Sequence, residues 1–150
     1  MTVANIRPIR RSDLVTVIDI QVGGSLHPDA EDPTKVDAYW RGVDETRRAG
    51  GDVFVAEVEQ EVVGFYQLLV FRHFQHAGSL CAEVESVHVR ASDRGRGIGS
   101  AMMAHATEEA TQRNCYRLQL TSNNVRDDAH RFYLSNGFTQ SHQGFKKALS

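Results

Sequence analysis

Two carboxylates and three glycines are the first residues in this chain whose types and spacing could do chemistry. Glu83 and Glu85 lie two apart in Glu83-Val84-Glu85-Ser86-Val87-His88-Val89, where the β-branched valines suit a pleated, partly buried strand. Residues two apart on a strand share a face, so both carboxylates point the same way. Gly95, Gly97 and Gly99 follow at every second position, and glycine serves where a backbone turns sharply or comes close to a ligand. From Ser100 the residues are mostly good helix formers. A glycine turn opening into a helix leaves backbone N–H groups unpartnered, and with the helix dipole they attract phosphate oxygens. The segment predicts a pyrophosphate site. A turn that merely joins strand to helix is the plain alternative.

The neighbouring residues narrow the choice. A P-loop needs a lysine after its last glycine, and here Gly99 is followed by Ser100 and Ala101. A dinucleotide turn needs glycine three residues after Gly97, where Ser100 stands, and it opens an early parallel βαβ unit. What remains is Arg94-x-x-Gly97-x-Gly99 behind a Val-rich strand.

The elements that must position this loop follow from pattern. Residues 5–10 read as a short edge strand, since Pro8 is tolerated mainly at edges. Ser12-Asp13 is placed to cap a helix carrying Leu14, Val17, Ile18 and Val22, ended by Gly23-Gly24. A second helix runs through Val36, Tyr39, Trp40 and Val43 to Gly50-Gly51. Strands Val53–Val58 and Val62–Phe71 form a hairpin, with Phe65 and Tyr66 placed to line a pocket. A strand from about Leu80 to Val89 leads into the glycine loop and its helix. Then come a strand over Tyr116–Thr121, a helix over about Asp127–Ser135 stopped by Asn136-Gly137, and a last strand region over Phe138–Leu149. The order β-α-α-β-β-β-α-β-α-β predicts an α/β fold with a mixed, largely antiparallel sheet flanked by helices.

Composition sets the bounds. The 150 residues, 41% hydrophobic and 24% charged, predict one domain over 1–150 with a real core. No apolar run suits a membrane helix, and the first residues lack the apolar centre of a signal peptide. Cys81 and Cys115 form neither a disulfide framework nor a metal knuckle, so a cytoplasmic protein is expected. The net charge of −2 argues against nucleic acid as partner. Residues 1–85 carry 8 basic and 14 acidic side chains, while 86–150 carry 9 and 5. The positive part holds the phosphate loop, and the negative part suits a cationic amine.

The Arg94-x-x-Gly97-x-Gly99 pattern resembles the acetyl-coenzyme A loop of the Gcn5-related N-acetyltransferase (GNAT) family. Ala129, Tyr133, Gly137 and Phe138 fall in register with that family's C-terminal motif, and the element order is similar throughout. Asp128–Leu134 and the ending from Gln140 look like the aminoalkylphosphonate N-acetyltransferases. The resemblance implies an acetyl-coenzyme A-dependent N-acetyltransferase acting on a small-molecule amine by direct attack. Its alternatives are a protein N-terminal or lysine acetyltransferase, and a non-catalytic coenzyme A-binding regulatory domain. A homodimer is the family habit.

The same resemblance assigns roles. Glu83 or Glu85 is the base, directly or through water, and Tyr133 is the acid that reprotonates the leaving sulfur. Val87, His88 and Val89 line the thioester, with the backbone N–H of Val87 or Val89 facing its carbonyl. The amides of Arg94, Gly95, Arg96, Gly97, Ile98, Gly99 and Ser100 hold the pyrophosphate. Many family members carry Asn three residues before the motif's Ala, where this chain has Arg126; Asn123 and Asn124 lie just upstream, and Asn124 is the candidate for the pantetheine arm. His73 and His76 invite a metal, but no acidic or cysteine set accompanies them, and no metal is assigned. The acidic first part favours a cationic or neutral amine over an aminoalkylphosphonate, whose anion would need Arg72, Arg126 or a histidine-bound metal.

Overall fold

The computed structural model describes residues 3–150. Its sheet has five strands in the order β1-β2-β3-β4-β5. These are β1 (Asn5–Pro8), β2 (Asp52–Val58), β3 (Glu61–Arg72), β4 (Leu80–Val89) and β5 (Leu118–Gln119). The first four pair antiparallel with their sequence neighbours. β5 joins β4 in parallel through only two residue pairs, Ala82 with Leu118 and Glu83 with Gln119. Pro8 ends β1 at the sheet edge, where its missing N–H costs no ladder bond.

Helices cover both faces. α1 (Leu14–Gly24) and α2 (Val36–Arg48) bury Leu14, Val17, Ile18 and Val43 against Val53, Val55 and Phe65. On the other face α4 (Ile98–Gln112) sets Ile98, Met102 and Met103 against Phe54, Leu68 and Val84, and Phe132 and Tyr133 of α5 (Asp127–Ser135) pack on that cluster. The short turn α3 (Gln75–Gly78) joins β3 to β4. Among the described residues no helix is long and apolar enough to cross a membrane.

Four local expectations change. Asp13 does not cap α1; its carboxylate accepts Arg7 at 2.8 Å and the Arg10 N–H at 2.7 Å. Tyr66 lines no pocket: it is fully buried, and its hydroxyl meets His105 Nδ1 of α4 at 2.7 Å. The strand expected over Tyr116–Thr121 shrinks to Leu118–Gln119, and no strand forms within 138–150. The stretch Thr139-Gln140-Ser141-His142-Gln143-Gly144 offers no alternating apolar set to bury, and Phe145 and Leu149 beyond it stay exposed.

Candidate active site

β4 works through a change of phase. Ser86 adopts φ +54°, and the register with β3 slips between Phe65 and Gln67, the signature of a bulge. Ahead of it Ala82 and Val84 face the α4 layer; beyond it Val87 and Val89 do. The extra residue also redirects the backbone. The N–H of Ala82 reaches Arg117 O of the β5 segment at 2.9 Å, whereas the N–H of Arg90 reaches Val63 O of β3 at 2.7 Å. Alternation back from Arg90 turns the N–H groups of Val87 and Val89 away from β3. They face a gap, because β5 leaves β4 after Glu83. His88 lies elsewhere: its backbone pairs with Phe65, and its ring packs against Phe65 and Gly24. Burial, with the charges of Arg126 and Arg94, pushes its imidazole down to about 4.

The two carboxylates have different surroundings. Glu83 accepts Gln119 Nε2 at 3.1 Å. The other end of that amide is fixed, since Gln119 Oε1 accepts Arg117 Nε at 3.0 Å and lies 3.5 Å from the Cys81 thiol. Glu85 is half-buried; burial and the neighbouring Glu83 charge raise its pKa, and Lys146 opposes them. Of the two, Glu85 is the carboxyl that its surroundings push toward holding a proton.

The glycine loop is held from below. Asp93 is buried and accepts Arg90 Nε at 2.7 Å, and it also pairs with Arg96. Gly95 and Gly97 have φ +77° and +81°, and a Cβ added at either would meet nothing within 4 Å. Gly97 is the N-cap of α4, so the first amides of that helix lack intrahelical partners. Arg94 and Ser100 are exposed, while the Ile98 side chain is buried, leaving Ile98 only its backbone to offer a ligand. A side chain at Gly99 would come 3.1 Å from Phe132, so glycine here lets α5 close on the loop. This open cradle of backbone donors fits a pyrophosphate.

α5 brings Tyr133 to the same region. The tyrosine ring lies 5.2 Å from Phe132 and 5.9 Å from Phe138. Burial raises the phenol's pKa; the Arg126 charge lowers it and that of Glu85 raises it further. Arg126, where the family pattern has asparagine, donates to Gly24 O at 2.9 Å and ties α5 to the end of α1. Asn124 is exposed in the preceding turn. The His73 and His76 rings lie tilted against Tyr116 at the far end of β4, and no group of three or more metal-ligating side chains gathers among the described residues.

A cavity of about 510 Å³ opens between α1, α2 and the sheet. Phe65, Gln67 and Ser86 form its sheet side, and Tyr39 and Gly42 of α2 line the opposite wall. Gln67 is the cross-strand partner of Glu85, which sets the cavity beside the carboxylate pair. Sequence reasoning missed Gln119, Ser86, Asp93 and Gly42. Only Asp93, one residue before Arg94, left a local signal.

Residues 16–138 match the Acetyltransferase (GNAT) family. An aminoalkylphosphonate N-acetyltransferase of Salmonella typhimurium is 44% identical over 89 residues, 59% of this chain and 57% of the relative. The aligned part thus spans little more than half of that curated protein. A crystal structure of a transcriptional regulator from Bacillus halodurans C-125 superposes with TM-score 0.90 at 31% identity, covering 98% of this chain and all of that one. The glucosamine-6-phosphate N-acetyltransferase of Arabidopsis thaliana shares the fold at TM-score 0.80 and 16% identity, over 99% of both chains. With the family match running from α1 through the end of α5, the chain belongs to the Acetyltransferase (GNAT) family.

Proposed function

We propose that this chain transfers the acetyl group of acetyl-coenzyme A to the primary amine of a small molecule by direct attack. The observation that carries the reading is the convergence at one end of β4. An open cradle of glycine-loop amides, a gap lined by Val87 and Val89, a half-buried Glu85 and Tyr133 meet there. Acetyl-coenzyme A supplies the electrophilic thioester carbon. The amides from Arg94 to Ser100 take its pyrophosphate, and the Val87 and Val89 N–H groups face the gap where charge would develop on oxygen. Glu85 accepts the proton that the amine loses, directly or through water, while Gln119 holds Glu83 in place beside it. Tyr133, neutral at pH 7, gives its proton to the sulfur as the C–S bond breaks.

The similarity to a protein described as a transcriptional regulator favours one competing reading, a domain that binds coenzyme A without turnover. Such a domain needs the cradle but neither the carboxylate pair nor the tyrosine, and their convergence supports catalysis. Thiol release from acetyl-coenzyme A, measured across a panel of primary amines, tests the reading. Turnover with at least one amine is expected. Gly97→Glu puts a carboxylate where the pyrophosphate binds, and should abolish both turnover and the rise in Tm that acetyl-coenzyme A gives wild type. Binding without turnover of any amine would leave the regulatory reading standing instead.

A further inference from the structure

The walls of the cavity beside Glu85 say what kind of amine fits it. Leu14, Val17, Ile18, Val43, Val53 and Phe65 make most of its surface apolar. Two of its polar groups, Tyr39 and Gln67, already have hydrogen-bond partners. Tyr39 donates its hydroxyl to Glu31 at 2.5 Å and accepts the Asp32 N–H at 3.2 Å, and Gln67 donates to Thr46 at 3.0 Å. The charges at the rim are two carboxylates, Glu31 and Asp32, against one ammonium, Lys35. Arg72 and Arg126 line no part of it, and they donate to Gly78 O and Gly24 O. An acceptor carrying a phosphate or phosphonate would meet two carboxylates, a single ammonium and no guanidinium.

Gly42 adds an independent observation. It lies inside α2, where glycine is less favourable than alanine, yet no close approach requires it, because an added Cβ meets nothing within 4 Å. It lines the cavity, and its missing side chain keeps the α2 wall open. From these features we infer that the acceptor is a primary amine on an uncharged apolar body, an alkylamine or arylalkylamine, with the amine at the Ser86 end and the body between α1 and α2. The inference rests on the proposed acetyl transfer and names its substrate class.

Rates of thiol release by the full chain with saturating acetyl-coenzyme A test it. Across butylamine, pentylamine and hexylamine, kcat/KM should rise about fourfold per methylene, the factor for burying one such group. 2-Phenylethylamine should exceed aminomethylphosphonate by at least a hundredfold. Gly42→Phe should lower kcat/KM for hexylamine and 2-phenylethylamine tenfold or more, chiefly through KM, while the acetyl-coenzyme A-induced rise in Tm stays at its wild-type value. Gly42→Leu, a smaller wedge, should give a graded loss and serves if the phenylalanine variant does not fold. Preference for aminomethylphosphonate, or no dependence on chain length, overturns the apolar assignment and leaves acetyl transfer intact. If no amine is turned over, a rise in Tm with 2-phenylethylamine that Gly42→Phe removes supports the cavity's selectivity while acetyl transfer fails. No turnover and no such rise overturns both.

Discussion

Glu83 and Glu85 share a face of β4, yet among the described residues only Glu83 has a hydrogen-bond donor set on it by a neighbouring strand. With Glu85 as base, kcat/KM should climb with pH through a raised carboxylate pKa, because only the ionised form accepts a proton. The sign of each neighbour's effect follows. Glu83→Gln removes a negative charge and should move this limb to lower pH; Lys146→Ala removes a positive one and should move it higher. Glu85→Gln should erase the limb and lower kcat by about 10²–10⁴. A pH–rate profile that Glu83→Gln leaves in place contradicts the assignment. Tyr133→Phe keeps the ring packed on Phe132 and Phe138, so the Kd for acetyl-coenzyme A should hold while kcat falls by about 10²–10⁴. Steady-state kinetics beside calorimetric binding separates the two. That Glu83 and Glu85 share a face was legible in the sequence because strand spacing fixes it, whereas Tyr133 was singled out by the family resemblance. The Gln119 clamp was not, since it depends on β5 lying parallel to β4 across 36 residues.

Elements made by local rules appear where the sequence puts them. The hairpin strands, α2 and α5 all form within a few residues of their patterned limits, because turn chemistry and periodicity act over short range. β5 and the expected last strand depend on a partner edge, which periodicity does not reveal. The β2–β3 hairpin shows a local rule only half obeyed. Glu59 and Gln60 occupy its turn at φ +52° and +67°, a backbone that Asn-Gly adopts far more readily. Replacing the pair with Glu59→Asn and Gln60→Gly should therefore raise stability in urea unfolding by about 1–2 kcal/mol. An unchanged midpoint contradicts the strain read from these angles.

The whole molecule should lose stability to acid in two stages. Burial lowers the pKa values of His88 and His105, so the unfolded chain binds these protons first. Stability should therefore fall as pH drops below about 6.5, the ordinary histidine value. The second stage belongs to carboxylates. Burial raises the Asp13 pKa, but the bonds from Arg7 and Arg10 outweigh it, and Arg90 chiefly holds Asp93 down. Their contribution is present above the unfolded value of about 3.9 and is lost as pH falls through the depressed native values. Urea unfolding from pH 8 to 2 checks both stages, and His105→Gln should flatten only the first. Equal slopes for this variant and wild type would contradict the histidine stage.

The sheet is also fastened unevenly, with longer antiparallel ladders from β1 to β4 and only two residue pairs holding β5. Amide hydrogen exchange should be fastest along that seam, because a region with few ladder bonds opens locally well before the rest unfolds. A molecule lying in the gap between β4 and β5 binds only the closed arrangement, so its binding energy suppresses that opening. With acetyl-coenzyme A in that gap, as proposed, the weakest join of the sheet would become a clasp that the bound molecule closes around itself.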